Sequence, residues 1–141
     1  MEQEDTKTRR GFDDGSEEVI GACIEVHRHL GPGLLESAYE ASLCHELGLR
    51  GLRFERQKRV PLVYKGFALD CGFVLDVLVE GHILVEVKAV EHVLAVHKAQ
   101  VITYLKLSGI ETGLLVNFNV PILVQGLRRL VRGKDFFEST P

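Results

Sequence analysis

Two short apolar runs separated by a polar turn lie near the middle of the chain. Residues 77–79 and 83–87 are Val, Leu and Ile with one interruption, and Glu80 and Gly81 lie between them. This pattern predicts two antiparallel strands joined by a tight turn. The first of these strands is predicted to begin at Phe67, well before the apolar run.

Further strands are predicted on both sides of this hairpin. Residues 54–64 form one, and Pro61 within it indicates an edge position or a bulge. The Val-rich residues 112–118 predict a central strand. Residues 123–131 favour a final strand over a short helix.

Helical spacing of apolar residues occurs in three other stretches. The predicted helices are residues 16–30 with Ser16 as N-cap, residues 34–47 ended by Gly48, and residues 94–108 closed by Gly109. Helices and strands in this order predict an α/β domain with a mixed central sheet of four to five strands flanked by helices.

Charged residues interrupt the apolar pattern at one end of the predicted hairpin. Glu86 and Lys88 are two residues apart, so both side chains leave the same face of their strand. Asp76 lies at the matching end of the preceding strand, and antiparallel pairing would bring it close to them. Because isolated buried charges are costly, we expect these groups to be partnered by each other or by a metal ion.

Two helices carry polar residues that could face this cluster. At ~100° per residue, Glu36 falls on the inward stripe of the second helix, near Tyr39; the alternative is that Glu36 caps the first turn of its own helix. His97, Gln100 and Tyr104 share a stripe on the third helix. That stripe either faces the charged cluster or is the solvated side of an amphipathic helix.

Length and composition describe an ordinary globular protein. The chain has 141 residues, 45% hydrophobic and 26% charged, which predicts one domain of residues 16–135 between an acidic, disordered tail of residues 1–15 and a short tail of residues 136–141. No apolar run approaches the ~18 residues that a membrane span needs. Three cysteines without paired spacing predict reduced thiols and a cytoplasmic location.

The net charge of −3 conceals two basic groups. One surrounds the first strand and the other follows the last predicted turn. As candidate contacts to a phosphate backbone we take Arg53, Arg56, Lys58, Arg59, Arg128 and Arg129. The alternative is that these charges only keep strand edges and surfaces soluble.

Several motifs together resemble a known family. Residues 33–39 have the pattern Gly-x-x-Glu-x-x-Tyr, and residues 29–33 (His-Leu-Gly-Pro-Gly), 100–107 and 113–120 add to the likeness. Over residues 19–133 the chain resembles the GxxExxY family, which is grouped with the PD-(D/E)XK nuclease-like superfamily. The resemblance implies a restriction-endonuclease-like core. The chain has Val74 where members of the family often have arginine.

Carried over to this sequence, the resemblance implies a metal-dependent nuclease site. Glu36, Asp76, Glu86 and Lys88 would be catalytic, and Asp76, Glu86, Glu36 and the backbone carbonyl of Val87 would bind Mg²⁺ or Mn²⁺, ions that prefer oxygen ligands. Substrate-positioning candidates are Gln100, Tyr104, Tyr39 and His97.

The expected activity is hydrolysis of a nucleic-acid phosphodiester by a domain that works alone or as a homodimer, away from membranes. Two alternatives stay open at this point. The domain could bind nucleic acid or a protein partner without cutting, or the charged residues could form a purely structural salt-bridge network. The sequence does not distinguish DNA from RNA.

Overall fold

The computed structural model describes residues 14–132 and the backbone of residues 137–139. Its elements in chain order are α1 (Ser16–Leu30), α2 (Glu36–Leu49), β1 (Phe54–Tyr64), β2 (Phe67–Val79), β3 (Ile83–Lys88), α3 (Ala95–Ser108), β4 (Thr112–Asn117), a 3₁₀ turn (Leu123–Gly126), β5 (Leu127–Val131) and β6 (Phe137–Ser139). Residues 1–13 of the expected N-terminal tail, and residues 136, 140 and 141 of the expected C-terminal tail, lie outside the described residues.

The strands form one mixed sheet in the order β1-β2-β3-β4-β5-β6. Every neighbouring pair is antiparallel except β3 and β4, which are parallel and are joined by α3. The α/β class and the mixed sheet agree with the sequence prediction. In the described residues the sheet also includes β6 at residues 137–139, which were expected in a tail and pair with β5 as a short sixth strand at the edge.

Helices cover both faces of the sheet, and successive side chains along each strand point to opposite faces. On one face α1 and α2 pack against residues that include Val85, Val87 and Val116. On the other face α3 packs through Val101 and Leu105 against residues that include Leu84 and Leu115. None of the described helices is long and apolar enough to cross a membrane.

Several predicted boundaries differ from the structure. Gly15, not Ser16, is the N-cap of α1, and its φ of 94° is a left-handed conformation that glycine adopts readily. Helix α2 begins at Glu36 and runs through Gly48 to Leu49. The segment predicted as one final strand is a 3₁₀ turn followed by β5.

Asp14 ties the start of α1 to the sheet. Its carboxylate accepts hydrogen bonds from the Ser16 backbone N–H (2.9 Å), the Ser16 hydroxyl (2.6 Å) and the Thr112 hydroxyl (2.7 Å). It also forms an ion pair with Arg129 at 2.9 Å. Burial alone would raise the pKa of Asp14, but these donors together hold it well below its usual range. The folded domain therefore begins before Ser16.

Strands β1 and β2 form a long hairpin at the edge of the sheet. Only residues 77–79 of β2 pair with β3, so the remainder of the hairpin extends past the other strands. Both interpretations of Pro61 apply, since β1 is an edge strand and its register shifts between Pro61 and Val63. The point where β2 leaves β3 is next to Asp76.

Candidate metal centre

Side chains take over the hydrogen bonding where β2 and β3 separate. The ladder between these strands ends at the pair Val77 and Val85. Beyond it, the Asp76 backbone N–H donates to Glu86 Oε2 (3.0 Å), and the Val87 N–H donates to Asp76 Oδ2 (2.9 Å). Each of these N–H groups thus donates to a side-chain carboxylate of the opposite strand in place of a backbone carbonyl. This reciprocal arrangement fixes the two carboxylates side by side.

Lys88 joins the pair from the predicted face of β3. Val85 and Val87 belong to the core beneath α1 and α2, so the alternating Glu86 and Lys88 lie on the α3 face. Lys88 is half-buried, and its charge lowers the pKa of both Asp76 and Glu86. The structure therefore brings together the three charged residues that the sequence placed at this rim.

Burial and mutual repulsion of Asp76 and Glu86 favour binding of a cation or a proton at the two carboxylates. Burial, and then the charge of Asp76, raise the pKa of Glu86 to about 8. Burial also raises the pKa of Asp76, and the charges of Glu40 and Glu36 raise it further. The Val87 N–H and the charge of Lys88 lower this pKa, but by less than the total rise. Glu86 is buried and Asp76 is half-buried, and two carboxylates this close repel each other when both are ionised. A bound cation relieves that repulsion.

The buried acid of α2 is Glu40 and not Glu36. Glu36 is exposed in the first turn of α2, whereas Glu40 is only 7% exposed and accepts a hydrogen bond from Arg56 Nε at 2.6 Å. Sequence reasoning missed Glu40, although it lies three residues before Leu43 and seven before Leu47 and so shares their inward stripe. The expected inward position of Glu36 is thus wrong by one helical turn.

Gln57 connects Glu40 to Asp76. Its amide Nε2 lies 3.1 and 3.0 Å from the two Glu40 carboxylate oxygens and 3.4 Å from Asp76 Oδ1. Gln57 adopts a φ of 54°, which is unusual in a strand. Its neighbours Arg56 and Lys58 pair with Val77 and Leu75 of β2, whereas Gln57 and Asp76 are not paired with each other in the ladder. This local departure from strand geometry turns the amide toward both acids. No sequence pattern signals it.

Helix α3 brings Tyr104 to the other side of the carboxylates. The Tyr104 ring stacks on Phe73 of β2 at a centroid distance of 4.7 Å. Burial, together with the charges of Glu86 and Asp76, raises the pKa of its phenol. The hydroxyl therefore stays protonated and can act as a hydrogen-bond donor. Gln100 is half-buried one turn earlier on the same helix.

Two of the expected substrate-positioning residues have other contacts. The His97 ring Nδ1 accepts the Leu94 N–H at 2.9 Å, which caps the start of α3. Tyr39 is fully buried and stacks on Phe118 at 4.6 Å. The Tyr39 hydroxyl donates to the Gly31 carbonyl (2.6 Å) and accepts the Leu34 N–H (3.1 Å). It therefore braces the loop between α1 and α2.

The basic residues that the sequence grouped together are dispersed. Arg129 is buried against Asp14 on the α1 side of the sheet, so it cannot contact nucleic acid as expected. Arg53 pairs with Glu80 at 3.1 Å. Lys58 pairs with Glu55 at 3.2 Å. Arg56 binds Glu40, and Arg59 is exposed on β1.

Arg128 differs from its neighbour Arg129. In β5 it alternates with Arg129, so it lies on the same face as Leu130, which packs in the core beneath α3. Of the two arginines, Arg128 alone therefore shares a face of the sheet with Glu86 and Lys88.

The donor set of the site fits a hard cation with a partial protein shell. Within the described residues, no group of three or more His, Cys, Asp or Glu could hold a metal ion, so Glu36 does not complete a three-carboxylate cluster. Asp76 and Glu86 supply two carboxylates, and the Val87 carbonyl points to the same edge of β3 as the Val87 N–H that binds Asp76. Mg²⁺ is commonly held by one or two carboxylates while it keeps several waters. The residues therefore fit Mg²⁺ or Mn²⁺.

In metal-free protein, we expect the raised pKa of Glu86 to make stability fall as pH increases. Between the usual pKa of 4.5 and about 8 the folded form holds a proton that the unfolded form has released. The stabilisation is full below the lower value and is lost as pH rises through the upper one. Thermal unfolding of wild type and Glu86→Gln in EDTA, from about pH 5 to pH 9, should show a difference on the order of a few kcal/mol.

Added Mn²⁺ should reverse this trend, since it binds the deprotonated carboxylates. The matched comparison with Glu86→Gln cancels the titration of all other groups. A wild-type curve that stays parallel to that of Glu86→Gln over the whole range would contradict the assignment.

Comparison with known proteins agrees with this geometry. A family model described as the PD-(D/E)XK nuclease superfamily matches residues 13–130. No curated protein and no solved structure matches the chain. The narrower resemblance to the GxxExxY family stays a prediction.

Proposed function

Because the chain belongs to the PD-(D/E)XK nuclease superfamily, we propose that it is a Mg²⁺- or Mn²⁺-dependent hydrolase of nucleic-acid phosphodiesters. The observation that carries this proposal is the reciprocal contact between Asp76 and Glu86, which fixes two oxygen donors side by side with raised pKa and with Lys88 beside them. When bound, the ion would supply a Lewis acid for a phosphate oxygen and an acidified water.

Lys88 would act on the reacting phosphate. Its ammonium lies on the same face as Glu86 and close enough to lower the pKa of both carboxylates. An ammonium in that position can orient the attacking water and offset negative charge that builds at phosphorus. The half-buried setting strengthens this effect relative to bulk water.

The surrounding residues would hold the acids and the substrate strand in place. Gln57, itself held by Glu40, donates to Asp76 and restricts the orientation of its carboxylate. The protonated Tyr104 hydroxyl can donate to a phosphate oxygen that approaches from the α3 side. Gln100 on the same helix is a second positioning group.

A direct test uses a panel of fluorophore–quencher oligonucleotides: single- and double-stranded DNA and RNA. Wild-type protein with Mg²⁺ or Mn²⁺ should cleave at least one of them, and EDTA should stop the reaction. The exposed Glu17→Gln variant on α1 is a charge-matched control that should keep full activity, whereas Glu86→Gln should lose it. Folded wild-type protein that binds Mn²⁺ yet leaves every substrate intact would refute the proposal.

One observation favours a second function, binding of nucleic acid or a protein partner without cleavage. Only two carboxylates meet at the site, and the described part of the chain contains no group of three or more His, Cys, Asp or Glu that could hold a metal ion. A site of this kind can bind metal weakly. In that case oligonucleotides would bind with a steep dependence on salt and remain uncut. A cytoplasmic location remains our prediction, which the free thiols of Cys23, Cys44 and Cys71 support.

A further inference from the structure

The β1–β2 hairpin projects beyond the other strands next to the carboxylate pair, Asp76 and Glu86. Residues 58–75, which we call the arm, pair only with each other among the described strands, because β3 pairs with β2 no further than Val77. Asp76 lies at the root of the arm. Phe67, at the turn, is nine residues away along β2. At ~3.3 Å per residue, the tip of the arm lies at most about 30 Å from the carboxylate pair.

The tip of the arm exposes two aromatic rings side by side. Tyr64 and Phe67 pair directly across the turn, and they are 62% and 68% exposed. The turn residues Lys65 and Gly66 have φ of 49° and 81°, the positive values required by the two-residue turn that best matches the strand twist. The tight turn therefore holds both rings on one face of the hairpin, with most of their surface in solvent.

The arm carries positive charge in a chain whose net charge is −3. Its charged residues are Lys58, Arg59, Lys65 and Asp70. Lys58 already has the ion pair described above, but Arg59 is exposed and forms no hydrogen bond or ion pair in the part of the chain that the structure describes. The Lys65 ammonium lies 5.4 Å from the centre of the Tyr64 ring and pairs with no acid among the described residues. Two cations are thus available to an anion, against the single carboxylate of Asp70.

Arg59 and Phe73 connect the arm to the carboxylate pair. Arg59 is opposite Val74, two residues from Asp76 along β2. Its backbone therefore lies roughly 8 Å from that of Asp76, at ~3.3 Å per residue along a strand and ~4.8 Å between strands. Phe73 stacks on Tyr104, the helix residue beside the carboxylates, at a centroid distance of 4.7 Å. Cations and aromatic rings therefore occur from the site to the tip of the arm.

Charge and chemistry favour a nucleic-acid strand over a second copy of the chain as the partner of the arm. In a two-fold contact between tips, Lys65 would lie near the same residue of the second copy, and the like charges would repel each other. A polyanion neutralises both exposed cations. Exposed aromatic rings beside cations form the usual platform for single strands, since every base offers a π face and every linkage a phosphate. Bases in a duplex are stacked on each other and cannot reach such rings.

We propose that the arm binds a single-stranded segment of the nucleic acid whose scissile phosphodiester lies at the carboxylate pair. Unpaired bases stack on Tyr64 and Phe67. Arg59 and Lys65 contact the phosphates of the same strand. This rests on the proposed hydrolase function, and it gives that function a substrate class: DNA or RNA with unpaired nucleotides beside the bond that is cut.

Binding without cleavage is measured in the Asp76→Asn background with EDTA, by fluorescence anisotropy of labelled oligonucleotides. The tip variant Tyr64→Ala, Phe67→Ala should bind single strands at least about tenfold more weakly, because each lost ring removes a stacked base. Its slope of log affinity against log salt should not change, since no charge is removed, and its affinity for a blunt duplex should equal that of the parent. The control Leu49→Ala, Ile122→Ala, which changes exposed apolar residues outside the arm, should keep the parent affinity for both.

The two cations of the arm are tested separately. Arg59→Gln, Lys65→Gln should weaken single-strand binding and flatten the salt slope by about 1.4, because each phosphate contact to a single strand contributes ~0.7. The charge-matched control Arg28→Gln, Lys106→Gln, which changes α1 and the far end of α3, should leave the slope unchanged. A parent slope in the arm variant would overturn the phosphate contacts.

Cys71 gives a second measurement that leaves the tip intact. It is exposed on the arm, whereas Cys23 and Cys44 are buried, so a maleimide dye attaches selectively to the arm. Saturating single-stranded oligonucleotide should change the emission of this dye, and a blunt duplex should not. The dye decides the proposal if thermal unfolding shows that the tip variant is misfolded, and an unchanged emission with bound single strand would overturn it.

The remaining outcomes separate the arm from the hydrolase. Equal losses of single-strand and duplex affinity in the tip variant would overturn base stacking. A dimer of the parent protein that dissociates in the tip variant, with unchanged oligonucleotide affinity, would assign the rings to a contact between copies and overturn the proposal. Cleavage by wild-type protein, together with parent single-strand affinity in the tip variant, would overturn the arm while the hydrolase stands. Arm-dependent binding without cleavage of any substrate would overturn the hydrolase and leave the arm as a base-binding element.

Discussion

Asp76→Asn is expected to weaken Mn²⁺ binding and to slow phosphodiester hydrolysis by at least about 10²–10³-fold, while the protein stays folded. Asparagine has nearly the same shape and can still accept the Val87 N–H that Asp76 accepts at 2.9 Å. What it lacks is the negative charge that a cation requires. Calorimetric titration with Mn²⁺ measures the first effect, and single-turnover cleavage measures the second.

The comparison with Lys88→Met separates the effect on Mn²⁺ binding from the effect on phosphodiester cleavage. Lys88 offers no ligand to a cation, so Lys88→Met should bind Mn²⁺ at least as tightly as wild type and yet lose a similar factor in the rate of cleavage. If the charged residues were only a structural network, both variants would lower the melting temperature and cleavage would never be seen. Unchanged Mn²⁺ affinity in Asp76→Asn would refute the metal site.

Tyr39→Ala is expected to reduce the free energy of unfolding by about 3–5 kcal/mol. Tyr39 is fully buried, and its ring stacks on Phe118 with 8° between the ring planes. Removal of the ring leaves a cavity between α2 and the end of β4. Chemical denaturation followed by circular dichroism measures the loss.

Tyr39→Phe tests the same residue more gently. It keeps the ring and removes only the hydroxyl, which binds the Gly31 carbonyl and the Leu34 N–H. We expect a loss of about 1–2 kcal/mol, because two backbone groups lose a partner, and wild-type cleavage at temperatures where the variant is folded. A large fall in the cleavage rate with unchanged stability would instead place Tyr39 in contact with substrate.

Two tyrosines from different sequence motifs, Tyr39 and Tyr104, have different surroundings in the structure. Tyr39 and Tyr104 were both expected to position substrate. Tyr39 faces the core beneath α1 and α2, whereas Tyr104 lies close enough to Asp76 and Glu86 for their charges to raise its pKa. Sequence spacing assigns a residue to a helix face. It does not determine whether that face meets the core or the site.

The same limit explains why Glu36 was predicted to be the inward-facing acid of α2, whereas the structure buries Glu40. Both acids lie near the inward stripe of α2, since four residues advance a helix by ~40° beyond a full turn. The axial position relative to the sheet decides which one is buried, and that position follows from how α2 packs on β1 and β3. Arg56 and Gln57, which receive Glu40, belong to a different element.

By itself the sequence determined the strands of the central hairpin, the three helices and the paired charges of the hairpin. Period-two and helical patterns gave the bounds of β1, β2 and β3, and the spacing of Glu86 and Lys88 put both on one face. These features are local, because neighbouring residues and backbone geometry are sufficient to produce them.

Only the tertiary structure decided which other groups reach that hairpin. The separation of β2 from β3 at Asp76, the bridge through Gln57, the burial of Arg129 and the approach of Arg128 to the α3 face all depend on contacts between distant segments. Such contacts follow from packing and strand register across the whole sheet, and the local pattern of residues does not encode them.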